Sequence, residues 1–92
     1  MKVRVGLLQP FRSRIGKRSI EVEAKKGNVA SVLETLCTVH PEVKGDIMPE
    51  GSVGADVCVV LNGTPLASDR PYAKVKVSGS DDLLIFLPVS GG

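Results

Sequence analysis

The sequence predicts a two-layer α+β domain: one mixed sheet with a single main helix packed across one face. Three observations predict it. Apolar residues alternate with polar ones in two runs near the N-terminus, at Lys2–Leu7 and Ser19–Ala24. Apolar residues then recur at helical spacing between Val29 and Val39. Two further apolar runs follow the helix, Asp56–Leu61 and Leu83–Leu87. At 92 residues the chain has room for one domain with a modest core.

Each element has its own reason. Val3, Val5 and Leu7 alternate with Lys2, Arg4 and Gly6, the period of a half-buried strand, and Pro10 stops it. Ser13 to Lys17 contains Gly16 and reads as a turn. Ile20, Val22 and Ala24 alternate with Ser19, Glu21 and Glu23, so the first two strands make a hairpin around a short basic loop. Asn28 is placed to cap a helix, because its side-chain oxygen can accept an orphan backbone N–H. Val29, Val32, Leu33, Leu36 and Val39 form the apolar stripe of that helix, with Ser31, Glu34, Thr35 and Thr38 opposite. His40-Pro41 ends it, since the residue before proline is pushed out of the helical region.

Glu42 to Ala55, with Gly45, Pro49, Gly51 and Gly54, reads as the longest loop, and its start has room for one helical turn. The run Asp56–Leu61 reads as a central strand buried on both faces. Asn62-Gly63 is a tight-turn signal. Val75 and Val77 alternate with Lys74 and Lys76 as a short strand. Gly79 to Asp82 is a polar turn, Leu83–Leu87 is the last strand, and Pro88 ends it. The helix serves as a crossover between parallel strands, which sets the first and last strands side by side at the centre in a β-grasp arrangement. Residues 1–87 form the domain and 88–92 a C-terminal diglycine tail.

That tail is the strongest functional signal. Gly91 and Gly92 lack a Cβ, so they can thread a narrow channel in a partner. A carboxylate on Gly92 can be activated as an acyl-adenylate and attacked by sulfur or by an amine. Five extended residues reach about 17 Å, with Pro88 stiffening the exit ahead of Val89 and Ser90. This suits a carrier or a modifier better than an enzyme with its own pocket. A functionless terminus is the plain alternative.

The remaining residues narrow the function further. His40 is the only histidine, and Asp81 and Asp82 read as turn residues rather than an acid/base pair. Cys37 and Cys58 make neither a disulfide framework nor a zinc site and read as reduced, buried residues. The glycines match no nucleotide-binding spacing, so ATP is not expected to bind the chain itself. No bound cofactor or metal is expected. A net charge of +2 with scarce aromatics argues against nucleic acid, and no 18-residue apolar stretch argues for a membrane span. The N-terminus carries no apolar signal-peptide core, so a cytoplasmic protein is expected. Lys2, Arg4, Arg12, Arg14, Lys17 and Arg18 precede the first acid, Glu21; they form either a solvated face and turn or an electrostatic docking face for an acidic partner. Phe86 shares a face with Leu84, opposite Leu83, Ile85 and Leu87. It either anchors a partner, with Leu66 as a weaker companion, or fills core under the long loop.

These residues match a known pattern. The chain resembles the MoaD/ThiS family of ubiquitin-like sulfur carriers, most of all the small subunit of molybdopterin synthase. The resemblance runs from Lys2-Val3-Arg4-Val5 through Phe11, His40-Pro41-Glu42-Val43 and Val60-Leu61-Asn62-Gly63 to Leu84-Ile85-Phe86-Leu87-Pro88-Val89-Ser90-Gly91-Gly92. It implies that an E1-like adenylating enzyme uses ATP to activate Gly92 and that a sulfur-transfer enzyme converts it to a thiocarboxylate. The tail, Pro88, Val89, Ser90 and Gly91 included, would then enter a molybdopterin synthase large subunit and give sulfur to a pterin precursor. Phe86 stands where the family places a hydrophobic interface residue. The chain would be a protein cosubstrate rather than a stand-alone enzyme. It departs from the family in Leu87, where a proline is common, and in Ser80-Asp81-Asp82, where an Asp-Gly-Asp turn is usual. The segment between Asn62 and that turn is also longer than in many relatives. Conjugation to target lysines, and sulfur delivery to thiamine thiazole or tRNA, use the same activated carboxylate and stay open.

Overall fold

A computed structural model of the chain describes residues 1–54, 56–66 and 71–88. The elements are β1 (Lys2–Leu7), α1 (Phe11–Ile15), β2 (Ser19–Glu23), α2 (Val29–Val39), α3 (Lys44–Ile47), β3 (Cys58–Leu61), β4 (Thr64–Pro65) and β5 (Asp82–Phe86). Single 3-10 turns lie at Pro41–Val43 and Tyr72–Lys74. The five strands form one sheet in the order β2-β1-β5-β3-β4. β1 and β5 run parallel in adjacent central positions, and the other pairs are antiparallel, which is the β-grasp arrangement.

Alternation decides the faces of the sheet. Val3, Val5, Leu7, Val22, Val59, Leu83 and Ile85 are buried on one face, beneath Val29, Val32, Leu33, Leu36 and Cys37 of α2. Each fully buried Leu or Val contributes about 1.5–3 kcal/mol. The N-cap of α2 is as the sequence predicts: Asn28 is extended and its Oδ1 accepts the Ser31 N–H at 2.8 Å. The turn after β3 also forms as predicted, with Asn62 at φ 50° and Gly63 at φ 82°.

Four local expectations are corrected. The turn between β1 and β2 contains a short helix, α1, anchored by Phe11, which is fully buried, and ended by Gly16 at φ 84° in the left-handed region. One helical turn is too short to leave a periodic signal. The expected strand at Lys74–Val77 is absent from the sheet. Instead the Val75 carbonyl accepts the Val29 N–H at 2.9 Å and the Val77 N–H donates to the Gly27 carbonyl at 3.0 Å, so this segment braces the start of α2. Thr64–Pro65 is the remaining strand. The third correction concerns β3, which lies next to the edge of the sheet and not at its centre. Its Cys58 and Val60 are only partly buried, because no helix covers their face among the described residues. Finally, the helix is rotated slightly from the expected stripe. Val39 is 63 % exposed, whereas Ser31 is buried and its Oγ accepts the Lys26 N–H at 3.0 Å. That bond satisfies the hydroxyl and lets a polar residue face inward.

Candidate functional site

The site is built at the end of β5. This strand is hydrogen-bonded to β1 on one side and β3 on the other. Beyond it, the Leu87 N–H reaches the Gln9 carbonyl at 3.4 Å, and the Leu8 N–H donates to the Ile85 carbonyl at 3.1 Å. Leu87 packs against the core, and Pro88 is exposed. The chain therefore leaves the sheet from its most protected strand. Gly91 and Gly92, expected to carry the chemistry, and Val89 and Ser90, expected to bind a partner, lie outside the described residues.

Phe86 falls on the face of the sheet away from α2. Its register partner is Cys58, while Leu84 pairs with Val60 on one side and Gly6 on the other. Phe86, Leu84, Val60 and Cys58 are all partly exposed and stand outside the core cluster. An open apolar face thus runs up β5 to the point where the chain leaves the sheet. Gly6 shapes it: a Cβ there would lie 2.9 Å from Leu84 Cδ1, so the glycine lets the leucine lie flat over β1. Arg4, Gly6, Val60 and Leu84 line a shallow cleft of ≈ 280 Å³ on this face, with Asp82 at its end.

Leu66 is not brought to the same place. Its N–H donates to the Val59 carbonyl at 2.9 Å, and its side chain packs against the core. The expected pairing of Phe86 with Leu66 is therefore split across the sheet. Gly6, Val60 and Cys58 take the neighbouring positions on Phe86's face. Alternation within β1 and β3 carries the signal for them, but only once the pairing of both strands with β5 is known.

Cys37, His40 and Asp81 are buried or engaged structurally. Burial pushes the Cys37 thiol up, which disfavours a thiolate nucleophile. His40 Nδ1 lies 3.3 Å from Glu42 Oε2 at the end of α2. Asp81 accepts from Asn62 Nδ2 at 2.9 Å and from the Ser78 N–H at 2.7 Å, which ties the β3–β4 turn to the start of β5. Among the described residues no group of three or more His, Cys, Asp or Glu side chains could hold a metal, and no helix is long and apolar enough to cross a membrane.

No family model and no curated protein matches the sequence. Solved structures match the fold along its whole length. The small archaeal modifier protein SAMP1 of Haloferax volcanii superposes with a TM-score of 0.84 at 23% identity, covering 100% of both chains. CysO of Amycolatopsis orientalis, determined in complex with BexX, gives 0.75 at 23% identity, covering 98% of this chain and 99% of that one. The Pyrococcus furiosus protein assigned as molybdopterin converting factor subunit 1 gives 0.67 at 24% identity, covering 97% and 99%. The chain has the β-grasp, ubiquitin-like fold, and its structural neighbours are proteins of the MoaD/ThiS type that the sequence resembles.

Proposed function

We propose that the chain is a sulfur-carrier protein whose Gly92 carboxylate is adenylated, converted to a thiocarboxylate and used to donate sulfur. One observation carries this reading: the sequence reaches a diglycine a few residues after β5, a central strand whose outer face is apolar and includes Phe86. In the first step the Gly92 carboxylate attacks the α-phosphate of ATP on an E1-like enzyme and pyrophosphate leaves. The terminal sulfur of a persulfide on a sulfur-transfer enzyme then displaces AMP and leaves an acyl disulfide. A second thiol attacks the enzyme-side sulfur of that bond and becomes part of a disulfide, and the thiocarboxylate is released with sulfur in place of one oxygen. Held at a partner's active site by the tail and by Phe86, that sulfur attacks its acceptor at high effective concentration. The acceptor we favour is a pterin precursor, with the chain acting in the cytoplasm as the small subunit of a molybdopterin synthase. ATP is consumed by the activating enzyme, and the chain itself is a cosubstrate rather than a catalyst.

A second reading follows from the likeness to a small archaeal modifier protein. If an amine replaces sulfur as nucleophile, the same acyl-adenylate gives an isopeptide bond to a target lysine. Intact mass of the protein purified from its own cells separates the two. Replacement of one oxygen by sulfur, absent after deletion of Gly92, supports the carrier. Heavier Gly92-linked adducts without sulfur replacement support the modifier. Neither product would overturn both.

A further inference from the structure

The basic residues that precede Glu21 are sorted by the fold into used and unused charges. Arg14 Nε is 2.9 Å from Asp46 Oδ2, so its charge is neutralised. Lys2 and Arg4 stand opposite Glu23 and Glu21 in the β1–β2 register. Arg12 gives its Nε–H to the Leu7 carbonyl at 3.2 Å, which leaves its positive charge without an acid. Lys17 and Arg18 are exposed and make no ion pair within 4.0 Å among the described residues.

The three uncompensated cations lie at one end of the sheet, and it is the end from which the tail departs. The Leu7 N–H donates to the Arg18 carbonyl at 2.8 Å, and Leu7 pairs with Ile85 on its other side. Arg18 is therefore two strand spacings from β5, about 10 Å. That is close to the Debye length at physiological salt, about 8 Å, so a surface gripping the tail lies within the field of these charges. Lys25 and Lys26 carry the same charge at the far end of β2, beyond Glu23 and roughly 20 Å away along the strand.

We infer that Arg12, Lys17 and Arg18 form a basic collar that docks an acidic surface flanking the tail-binding channel of the protein that activates Gly92. This inference rests on the reading of Gly92 as an activated carboxylate. Its role is encounter and orientation: charges at the rim of an interface act mainly on association rate and its salt dependence. No contact with the reacting atoms is needed.

The test uses the full chain and the E1-like adenylating enzyme of the same organism, with ATP–pyrophosphate exchange as readout. Lys17→Glu/Arg18→Glu is compared with Lys25→Glu/Lys26→Glu, which changes the net charge equally at the other end. The collar predicts a KM raised about tenfold or more at low salt for the first variant, with kcat unchanged, and little change for the second. It also predicts that wild-type KM rises with salt and that the collar variant loses most of that dependence. Far-UV circular dichroism of both variants checks that each is folded. Equal effects of the two variants, or a salt-independent wild-type KM, would overturn the collar while leaving activation intact. Absence of exchange with wild type, or exchange that survives Gly92 deletion, would overturn the tail reading and the collar with it.

Discussion

The chain has two phenylalanines, and they sit in opposite environments, which makes a paired truncation decisive. Phe11, the first residue of α1, is fully buried in the core. Its replacement by Ala removes a whole ring from a packed interior, at about 3–5 kcal/mol. At roughly 0.05–0.15 kcal/mol per residue, a domain of this length holds about 5–14 kcal/mol in all, so Phe11→Ala should remove from about a fifth of its stability to nearly all of it. Phe86 rests on one layer only, across the strand from Cys58 and outside the core cluster. Cross-strand pairs of this kind are worth roughly 0.2–1 kcal/mol, and Phe86→Ala should cost the fold about that much. The loss at a partner should be larger. A central aromatic anchor costs more than about 1 kcal/mol on truncation, or more than about fivefold in affinity. Urea unfolding followed by far-UV circular dichroism measures the first quantity, and KM in ATP–pyrophosphate exchange or affinity for the large subunit measures the second. With m about 1–3 kcal/mol/M, Phe86→Ala should shift the midpoint by less than about 1 M and Phe11→Ala by clearly more. If the two variants lose stability equally, Phe86 is a core residue and the reading of the open face is wrong.

Three further predictions concern the frame around that face. Asn28→Ala removes the cap on the Ser31 N–H and should destabilise the domain by about 1 kcal/mol at constant m, whereas Asn28→Ser should recover most of it. Gly16→Ala should cost about 1 kcal/mol although nothing lies within 4 Å of the added methyl, because φ is 84° there; a neutral result by urea unfolding would contradict the left-handed cap. Asp81 has its carboxyl held below the ordinary value by the Asn62 amide, and then by the Ser78 N–H and hydroxyl. Its contribution to stability is therefore present above about pH 3.9 and lost as the pH falls below it, so wild type should lose more stability between pH 5 and pH 2 than Asp81→Asn does.

How far the sequence could be read depended on how local each signal was. The bounds and cap of α2 were legible, because an eleven-residue helix shows its period and Asn28 acts on a residue three positions away. The hairpin strands and the Asn62-Gly63 turn were legible for the same reason. What escaped were features fixed by distant partners. The Lys74–Val77 segment alternates as a strand should, yet Gly27 and Val29 take its hydrogen bonds. Ser31 reads as solvent-facing until the Lys26 N–H is placed beside it. Cys58 and Val60 read as buried on both faces, since an apolar run cannot show that one layer of a domain is missing. At the site, the face of Phe86 follows from alternation within β5 alone, but Leu66 could be assigned to a face only through its bond to Val59, which put it on the other side.

On the proposed carrier reading, the position of β5 bears on why the tail should start where it does. Leu83, Leu84 and Ile85 each have register partners on both sides, and Phe86 faces Cys58 across the ladder. To peel this strand, a partner pulling on the tail would have to break the parallel ladder to β1 and the antiparallel ladder to β3 together. It would also have to expose Leu83 and Ile85, which are buried under α2. Had the tail followed an edge strand, one ladder would carry the load, and the partner could extend its own sheet along that edge at the domain's expense. Local opening free energies rise from termini toward core strands. The tail of this chain thus begins at a point that ranks with the core, and only the residues after the Leu87–Gln9 contact need be free to enter a channel. Those few residues keep the tip within about 17 Å of a fixed origin. On the proposed reading, a short tether of this kind would hold the reactive end at about millimolar effective concentration near a partner docked on the adjoining face. On the proposed reading the open face and the tail would work as one device: Phe86 and its neighbours would set where the partner sits, and the central strand would let the Gly92 carboxylate arrive there without loosening the domain.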